Sequence, residues 1–282
     1  MLTYASNEGK SSPVGFEALS GRIGQEVRIN GMVYKIREMS DFAFVILRGP
    51  RSLLQCIYTS ESARFPLVQL REGMAVRVMG EVVAEPRSKT GFEVRLKEAE
   101  VLSAPSFEPP VVINGKEVTA SLETLLDYRP LTLRNDKERA IFKVQEGICA
   151  GFRSFFFENG FTEIHSPKIV HSGAEGGANI FSLDYFGTPA YLAQSPQFYK
   201  QMMVGVFERV YEIAPVFRAE KHDTSRHINE YTSVDFEMGF LESFEELMET
   251  ETRLLSHTLA FLSEHYAGEL SLLKAKLPKC ER

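Results

Sequence analysis

The chain has 282 residues, 44% hydrophobic and 25% charged, which is the composition of a folded protein with room for two cores of the usual size. A formal net charge of -6 excludes indiscriminate nucleic-acid binding by the chain as a whole, although a local basic face remains open. Cys56, Cys149 and Cys280 are odd in number and without Cys-x-x-Cys or Cys/His spacing, which excludes a disulfide framework and a zinc site, and with no signal-like or membrane-length apolar run the expectation is a cytoplasmic protein with no membrane contact.

Residues 1–103 read as a β domain. Gln25 to Tyr34 alternates apolar and polar side chains as a half-buried strand does, and further strands are expected over 42–47, 52–58, 75–83 and 91–102. Five short strands separated by Gly- and Pro-containing turns predict a small closed barrel of the OB type, with a short helix within 60–70. Tyr34, Phe42 and Phe44 lie among Arg28, Lys35, Arg48 and Lys89, a mixture that suits base stacking with backbone neutralisation. Alternating aromatics serve a barrel core equally well, so these residues alone leave both roles open.

Residues 104–133 read as a linker and hinge, opened by Ala104 to Pro110 (A-P-S-F-E-P-P), which cannot continue a strand ladder. From 134 to 282 helices and strands alternate. Ile141, Phe142, Val144, Ile148, Phe152, Phe155 and Phe156 recur at helical spacing between Asp136 and Asn159, and Gly160 ends that helix. Phe161 to Val170 is expected as a strand, and Pro167 within it argues for an edge or an interface. Ser172 to Ala178 (S-G-A-E-G-G-A) reads as a mobile loop whose one charged group, Glu175, can bind an ammonium. In Tyr191 to Gln201 (Y-L-A-Q-S-P-Q-F-Y-K-Q), Ser195-Pro196 opens a helix, Gln197 can bond a polar ligand and Lys200 can neutralise a carboxylate.

Val210 to Phe217 and Tyr231 to Phe240 form two β-rich arms around a loop crowded with Arg218, Glu220, Lys221, His222, Asp223, Arg226, His227 and Glu230. Charged hairpin loops are ordinarily solvated turns, but two arginines that grip phosphate bidentately and a tyrosine face suited to a base make this one fit for a nucleotide triphosphate. Glu242 to His265 reads as a further amphipathic helix.

The F-R-A-E, H-D-T-S-R-H-I-N-E and V-D-F-E-M strings, together with Q-S-P-Q-F-Y-K-Q and L-L-D-Y-R-P-L-T-L-R, resemble those of the aspartyl-tRNA synthetases of the archaeal type, within the class II aminoacyl-tRNA synthetases. That resemblance implies an α+β chain: a five-stranded OB-type anticodon-binding barrel (1–103), the linker, and an incomplete class II antiparallel sheet with flanking helices (134–282). It implies that Glu175, Ser195, Gln197, Lys200, Arg218 and Asp235 hold L-aspartate. For ATP it implies Arg218, Glu220, Arg226, His227, Ile228 and Tyr231, with Arg218 as the catalytic group between the amino-acid carboxylate and the α-phosphate. Phe44, Gln55 and Lys89 would meet the anticodon of tRNA(Asp), with tRNA(Asn) an open second partner. The helix-glycine-strand unit around Pro167 resembles the family's dimer motif and implies a homodimer.

Where the family continues with acidic Mg2+ ligands and a third motif, this sequence has stopped, so the expectation is a truncated chain whose magnesium ligands lie outside it. A non-catalytic tRNA-binding paralogue or fragment, and an asparaginyl-tRNA synthetase, are the alternative readings; Asp235, where asparaginyl enzymes more often carry glutamate, leans toward aspartyl.

Overall fold

The computed structural model describes residues 12–105, 107–174, 179–221, 224 and 227–280. These fall into two compact units divided between Asn135 and Asp136.

In the first unit the alternating sequence folds as its period demands. Strands β1 (Glu26–Glu38), β2 (Ala43–Arg48), β3 (Leu53–Tyr58), β4 (Ala75–Ala84) and β5 (Phe92–Ser103) close in the order β1-β2-β3-β5-β4, an OB barrel. Every second residue points inward, so Val27, Ile29, Val45, Leu47, Leu54, Val76, Val78, Val94 and Leu96 make one core. β1 continues past Tyr34, pairing first with β4 and then with β2 across an irregular register at Val33 to Lys35, which is how one long strand serves two neighbours. The parallel pair Cys56↔Val94 closes the barrel. Burial among these side chains pushes the Cys56 thiol far above its ordinary range, leaving it unreactive. The helix expected within 60–70 is a single 3-10 turn, Leu67–Gln69, which follows Pro66 and ends at Leu70 in extended backbone. The hinge stretch carries two short helices, α1 (Leu122–Asp127), capped by Ser121, and α2 (Arg129–Thr132).

In the second unit the long helix α3 (Asp136–Glu158) ends at Gly160, whose φ of 74° lies in the left-handed region that favours glycine. The expected strand over 161–170 is broken in two. Thr162–Glu163 (β6) joins one sheet and Ile169–Val170 (β7) another, with Pro167, which has no N–H for a ladder, between them. β8 (Ser182–Tyr185) and β9 (Thr188–Leu192) complete the β7-β9-β8 sheet, and helix α4 (Gln197–Phe207) follows. The hairpin β10 (Arg209–Phe217) and β11 (Glu230–Met238) pairs over its whole length, Arg209↔Met238 to Phe217↔Glu230, and β6 lies parallel to β10 rather than continuing the antiparallel ladder. Helices α5 (Phe244–His265) and α6 (Ala267–Leu273) pack with α3, where Gly151 lets α3 approach Thr258 closely. No helix among the described residues is long and apolar enough to cross a membrane.

The hairpin has two unlike faces. Tyr211 and Ile213 of β10 and Val234, Phe236 and Met238 of β11 pack on Phe152, Phe155 and Phe156 of α3 and Leu254 of α5, with Tyr211 stacked on Phe156 at 4.2 Å between ring centroids. Arg153 of α3 bonds Glu163 of β6, and Tyr211 donates to the same carboxylate at 2.9 Å, stitching helix to sheet. Burial alone would raise the Glu163 carboxyl, but the bonds from Arg153 and Tyr211 outweigh it and hold it below its ordinary range. Burial, reinforced by Glu163, pushes the Tyr211 hydroxyl up to about 12.

Two outcomes follow from these contacts. A Cβ added at Gly80 would meet the Arg95 carbonyl oxygen and stand 2.7 Å from Val94 Cγ1, at the irregular register between Met79 and Gly80, so Gly80→Ala is expected to destabilise the barrel by about 1–3 kcal/mol in urea unfolding. Because the folded pKa of Glu163 is depressed, its contribution is complete above the unfolded value of about 4.3 and is lost as pH falls through the folded value. Glu163→Gln should therefore flatten the loss of stability below about pH 4, measured as urea midpoint against pH.

Candidate active site and nucleic-acid face

The face of the β10–β11 hairpin turned away from the aromatic core is charged. Strand period puts Glu212, Ala214 and Val216 of β10 on the same side as Tyr231, Ser233, Asp235 and Glu237 of β11, and the register sets Glu212 opposite Asp235 and Val216 opposite Tyr231. Lys200 reaches this face from α4. Its Nζ lies 3.3 Å from Asp235 Oδ1 and 3.5 Å from Glu237 Oε2, and its side chain is 13% exposed. Ser233 Oγ donates to Asp235 Oδ2 at 2.7 Å, fixing the carboxylate that holds the lysine. Next to it, Glu212, 3% exposed, takes Lys168 Nζ and Ser166 Oγ, each at 2.8 Å. A buried carboxylate survives because a cation and a donor are bonded to it.

The turn between β9 and α4 is sewn to the end of β10. Ala193 N–H donates to Lys168 O, and Phe217 N–H donates to Ala193 O, both at 2.9 Å. Gln194, Ser195 and Gln197 are thereby carried beside the start of the charged loop. Ser195 Oγ accepts from the Gln197 backbone N–H at 3.3 Å, fixing the first turn of α4. Gln194 is the residue that sequence reasoning missed. Its side chain is 1% exposed, and among the described residues neither its Nε2 nor its Oε1 has a hydrogen-bond partner. Such an amide costs about 1–3 kcal/mol in the ligand-free chain. Its only signal in sequence is its place within Q-S-P-Q.

At the loop, Arg218 and Glu220 are partly buried, and Ile228 is 62% exposed. Thr224 Oγ1 lies 2.7 Å from His227 Nδ1, so the tip is held by its own side chains. Glu175 and Arg226 lie outside the described residues. Asp235 and Tyr231 lie on the hairpin, Arg218 and Glu220 just past the end of β10, Ser195 in the turn bonded to it, and Gln197 and Lys200 on helix α4, which that turn opens. As to magnesium, no group of three or more His, Cys, Asp or Glu among the described residues is placed to hold a metal ion.

The barrel has a groove of its own, about 930 Å³, lined by Phe42, Phe44, Gln55, Glu93, Arg95 and Arg87 among others. Phe42 and Phe44 meet edge to face at 5.1 Å. Gln55 Nε2 donates to Glu93, itself 3% exposed, so the amide expected to read a base is oriented by a buried carboxylate that the sequence had not singled out. Lys89 is exposed in the β4–β5 turn and does not line this groove. Tyr34 does not line it either: its hydroxyl donates to Ile113 O at 3.1 Å and receives Asn135 Nδ2, tying the hinge stretch to the barrel.

Residues 121–281 match the family described as tRNA synthetases class II (D, K and N), and residues 27–102 match the OB-fold nucleic-acid-binding family of anticodon domains. The chain belongs to the class II tRNA synthetases. It is 48% identical over 255 residues to the aspartate–tRNA(Asp/Asn) ligase of Deinococcus radiodurans, covering 90% of this chain and 57% of that protein. With the aspartate–tRNA(Asp) ligase of Thermococcus kodakarensis it shares 41% identity, covering 90% and 59%. Among solved structures, the asparaginyl-tRNA synthetase of Pyrococcus horikoshii complexed with asparaginyl-adenylate matches with a TM-score of 0.86 at 30% identity, over 95% of this chain and 62% of that one. The chain thus spans 57–59% of the length of these aspartate ligases. This synthetase chain also carries the anticodon-type barrel ahead of its class II region.

The stranded amide gives a direct check. Gln194→Met keeps the length of the side chain and removes both polar atoms, so it should raise the stability of the ligand-free chain by about 1–3 kcal/mol in urea unfolding.

Proposed function

We propose that the chain carries the amino-acid-activating face and the anticodon-reading barrel of an aspartate–tRNA ligase, acting on L-aspartate, ATP and tRNA(Asp), with tRNA(Asn) as a second acceptor. The observation that carries this reading is the Lys200 ammonium held between Asp235 and Glu237 on the open face of the hairpin. The two carboxylates aim the lysine, and an ammonium attracts a side-chain carboxylate more strongly than the isosteric amide; Asp235, where asparaginyl enzymes more often carry glutamate, leans the same way. Arg218, at the end of β10 beside the Ser195–Gln197 turn, is assigned to the α-carboxylate and the α-phosphate, Tyr231 and Glu220 to the adenine, and His227 and Arg226 to the outer phosphates.

In the first step an α-carboxylate oxygen of aspartate attacks the α-phosphorus of ATP, the bond from that phosphorus to the oxygen bridging to the β-phosphate breaks, and pyrophosphate leaves. In the second, the terminal ribose hydroxyl of tRNA attacks the adenylate carbonyl carbon, and AMP leaves as the hydroxyl gives up its proton. Neither step needs a covalent bond to the protein, so its contribution is positioning and charge neutralisation. Phe44 and Gln55, the latter oriented by Glu93, support the tRNA side of the reading. The same reading implies a homodimer joined around Pro167 and work in the cytoplasm.

The testing experiment is aspartate-dependent exchange of labelled pyrophosphate into ATP by the purified chain, with asparagine as control. Exchange with aspartate alone is expected, and Lys200→Met should lower kcat/KM for aspartate by about 100-fold or more, roughly 2.7 kcal/mol. Exchange driven by asparagine instead would favour the asparaginyl reading, which the adenylate-bound structural neighbour keeps in view. Folded protein that binds tRNA yet exchanges with neither amino acid would overturn the reading of this chain as a working ligase in favour of a non-catalytic tRNA-binding paralogue or fragment.

A further inference from the structure

The β10–β11 ladder ends at Phe217↔Glu230, and one further rung, Arg218 N–H to Asn229 O at 2.9 Å, lies beyond it. Past that rung both strands have ended. The next backbone groups are nevertheless held, because Asn229 Nδ2 donates to Arg218 O at 2.8 Å and to Glu220 O at 3.0 Å. One amide nitrogen thus uses its two hydrogens on carbonyls two residues apart. Between them, Ala219 N–H donates to Asn179 O at 2.9 Å. Across residues 218–220, three of these four bonds are made by Asn229, and the fourth ties Ala219 to Asn179.

An asparagine that bonds nearby backbone is most often just a turn former. Here the residues whose carbonyls it bonds are Arg218 and Glu220, the two whose side chains start the charged loop. A side chain can only be aimed as well as the peptide that bears it. We propose that Asn229 is a positioning residue: its amide fixes the backbone of Arg218, Ala219 and Glu220, so that the guanidinium and the carboxylate are presented to nucleotide, and it secures the bond from Ala219 to Asn179. The assignment of nucleotide to Arg218 and Glu220 rests on the ligase reading above. Asn229 itself touches no reacting atom. Lys200, Asp235 and Glu237 are held by other bonds, so the aspartate side chain is recognised independently of it.

The test uses the full chain with Asn229→Asp, which keeps the shape and removes both donors, beside Asn229→Ala. Residue-resolved amide hydrogen exchange is read at Arg218 and Ala219. Both variants should speed exchange there by about tenfold or more, which is ~1.4 kcal/mol, with protection in α3 and the barrel unchanged. In pyrophosphate exchange, Asn229→Asp should raise the KM for ATP by about tenfold and lower kcat while the KM for aspartate stays within about threefold, and Asn229→Gln, which restores an amide, should recover part of the loss. A general loss of structure would raise both KM values and is excluded by the same exchange map. Unchanged protection at Arg218 and Ala219 in Asn229→Asp would overturn the proposal, as would faster exchange there with both KM values and kcat unaltered. If the parent chain exchanges no pyrophosphate, the ligase reading is what fails; the amide data still decide whether Asn229 fixes residues 218–220.

Discussion

The second unit depends on one hairpin having two incompatible faces. Tyr211, Ile213, Val234, Phe236 and Met238 must be dry, against the aromatic rings of α3, and in the same strands Glu212, Asp235 and Glu237 must keep their charges bonded to Lys168 and Lys200. A slip of β11 by one residue against β10 would turn Asp235 and Glu237 toward the aromatic core. The uninterrupted pairing from Val210↔Glu237 to Phe217↔Glu230 and the stacking of Tyr211 on Phe156 are what forbid that slip. The precision of the charged face is thus set by packing on its reverse side.

The same economy appears at the edges of that face. The loop would be a free tether between two strands, but the backbone bonds of Ala193 to Lys168 and Phe217, and the Asn229 amide on residues 218 and 220, draw three separate stretches of sequence into one wall. In the barrel, a groove with aromatic edges is polarised by one buried carboxylate, Glu93, which is tolerable because Gln55 donates to it. Both faces therefore rest on buried charge that is paired rather than removed.

Much of this was legible along the chain. The period-2 alternation of β1 to β5 gave the barrel, and the helical recurrence of Phe152, Phe155 and Phe156 gave α3 to within a residue of its end. Family strings marked Lys200, Asp235 and Arg218, which lie on α4, on β11 and just past β10, with the Lys200 ammonium 3.3 Å from Asp235. Where local pattern competed with tertiary demand it misled. The apolar run from Phe161 to Val170 reads as one strand yet is split between two sheets at Pro167, and the span 60–70 makes a 3-10 turn rather than a helix. Tyr34, whose alternation with basic residues suggested a base-stacking role, spends its hydroxyl on the hinge stretch instead.

Sequence by itself determined the elements, their order, the family and the kinds of side chain at the site, because periodicity, punctuation and motif spacing are properties of neighbours along the chain. Only the tertiary structure decided that Lys200 has two carboxylates, that Gln194 is buried with its amide unmatched among the described residues, that Glu93 stands behind Gln55, and that Asn229 holds the peptides of Arg218 and Glu220. Each of these is a contact between residues far apart in sequence or a state of burial, and both are fixed by how strands pair and helices pack, which no local pattern records.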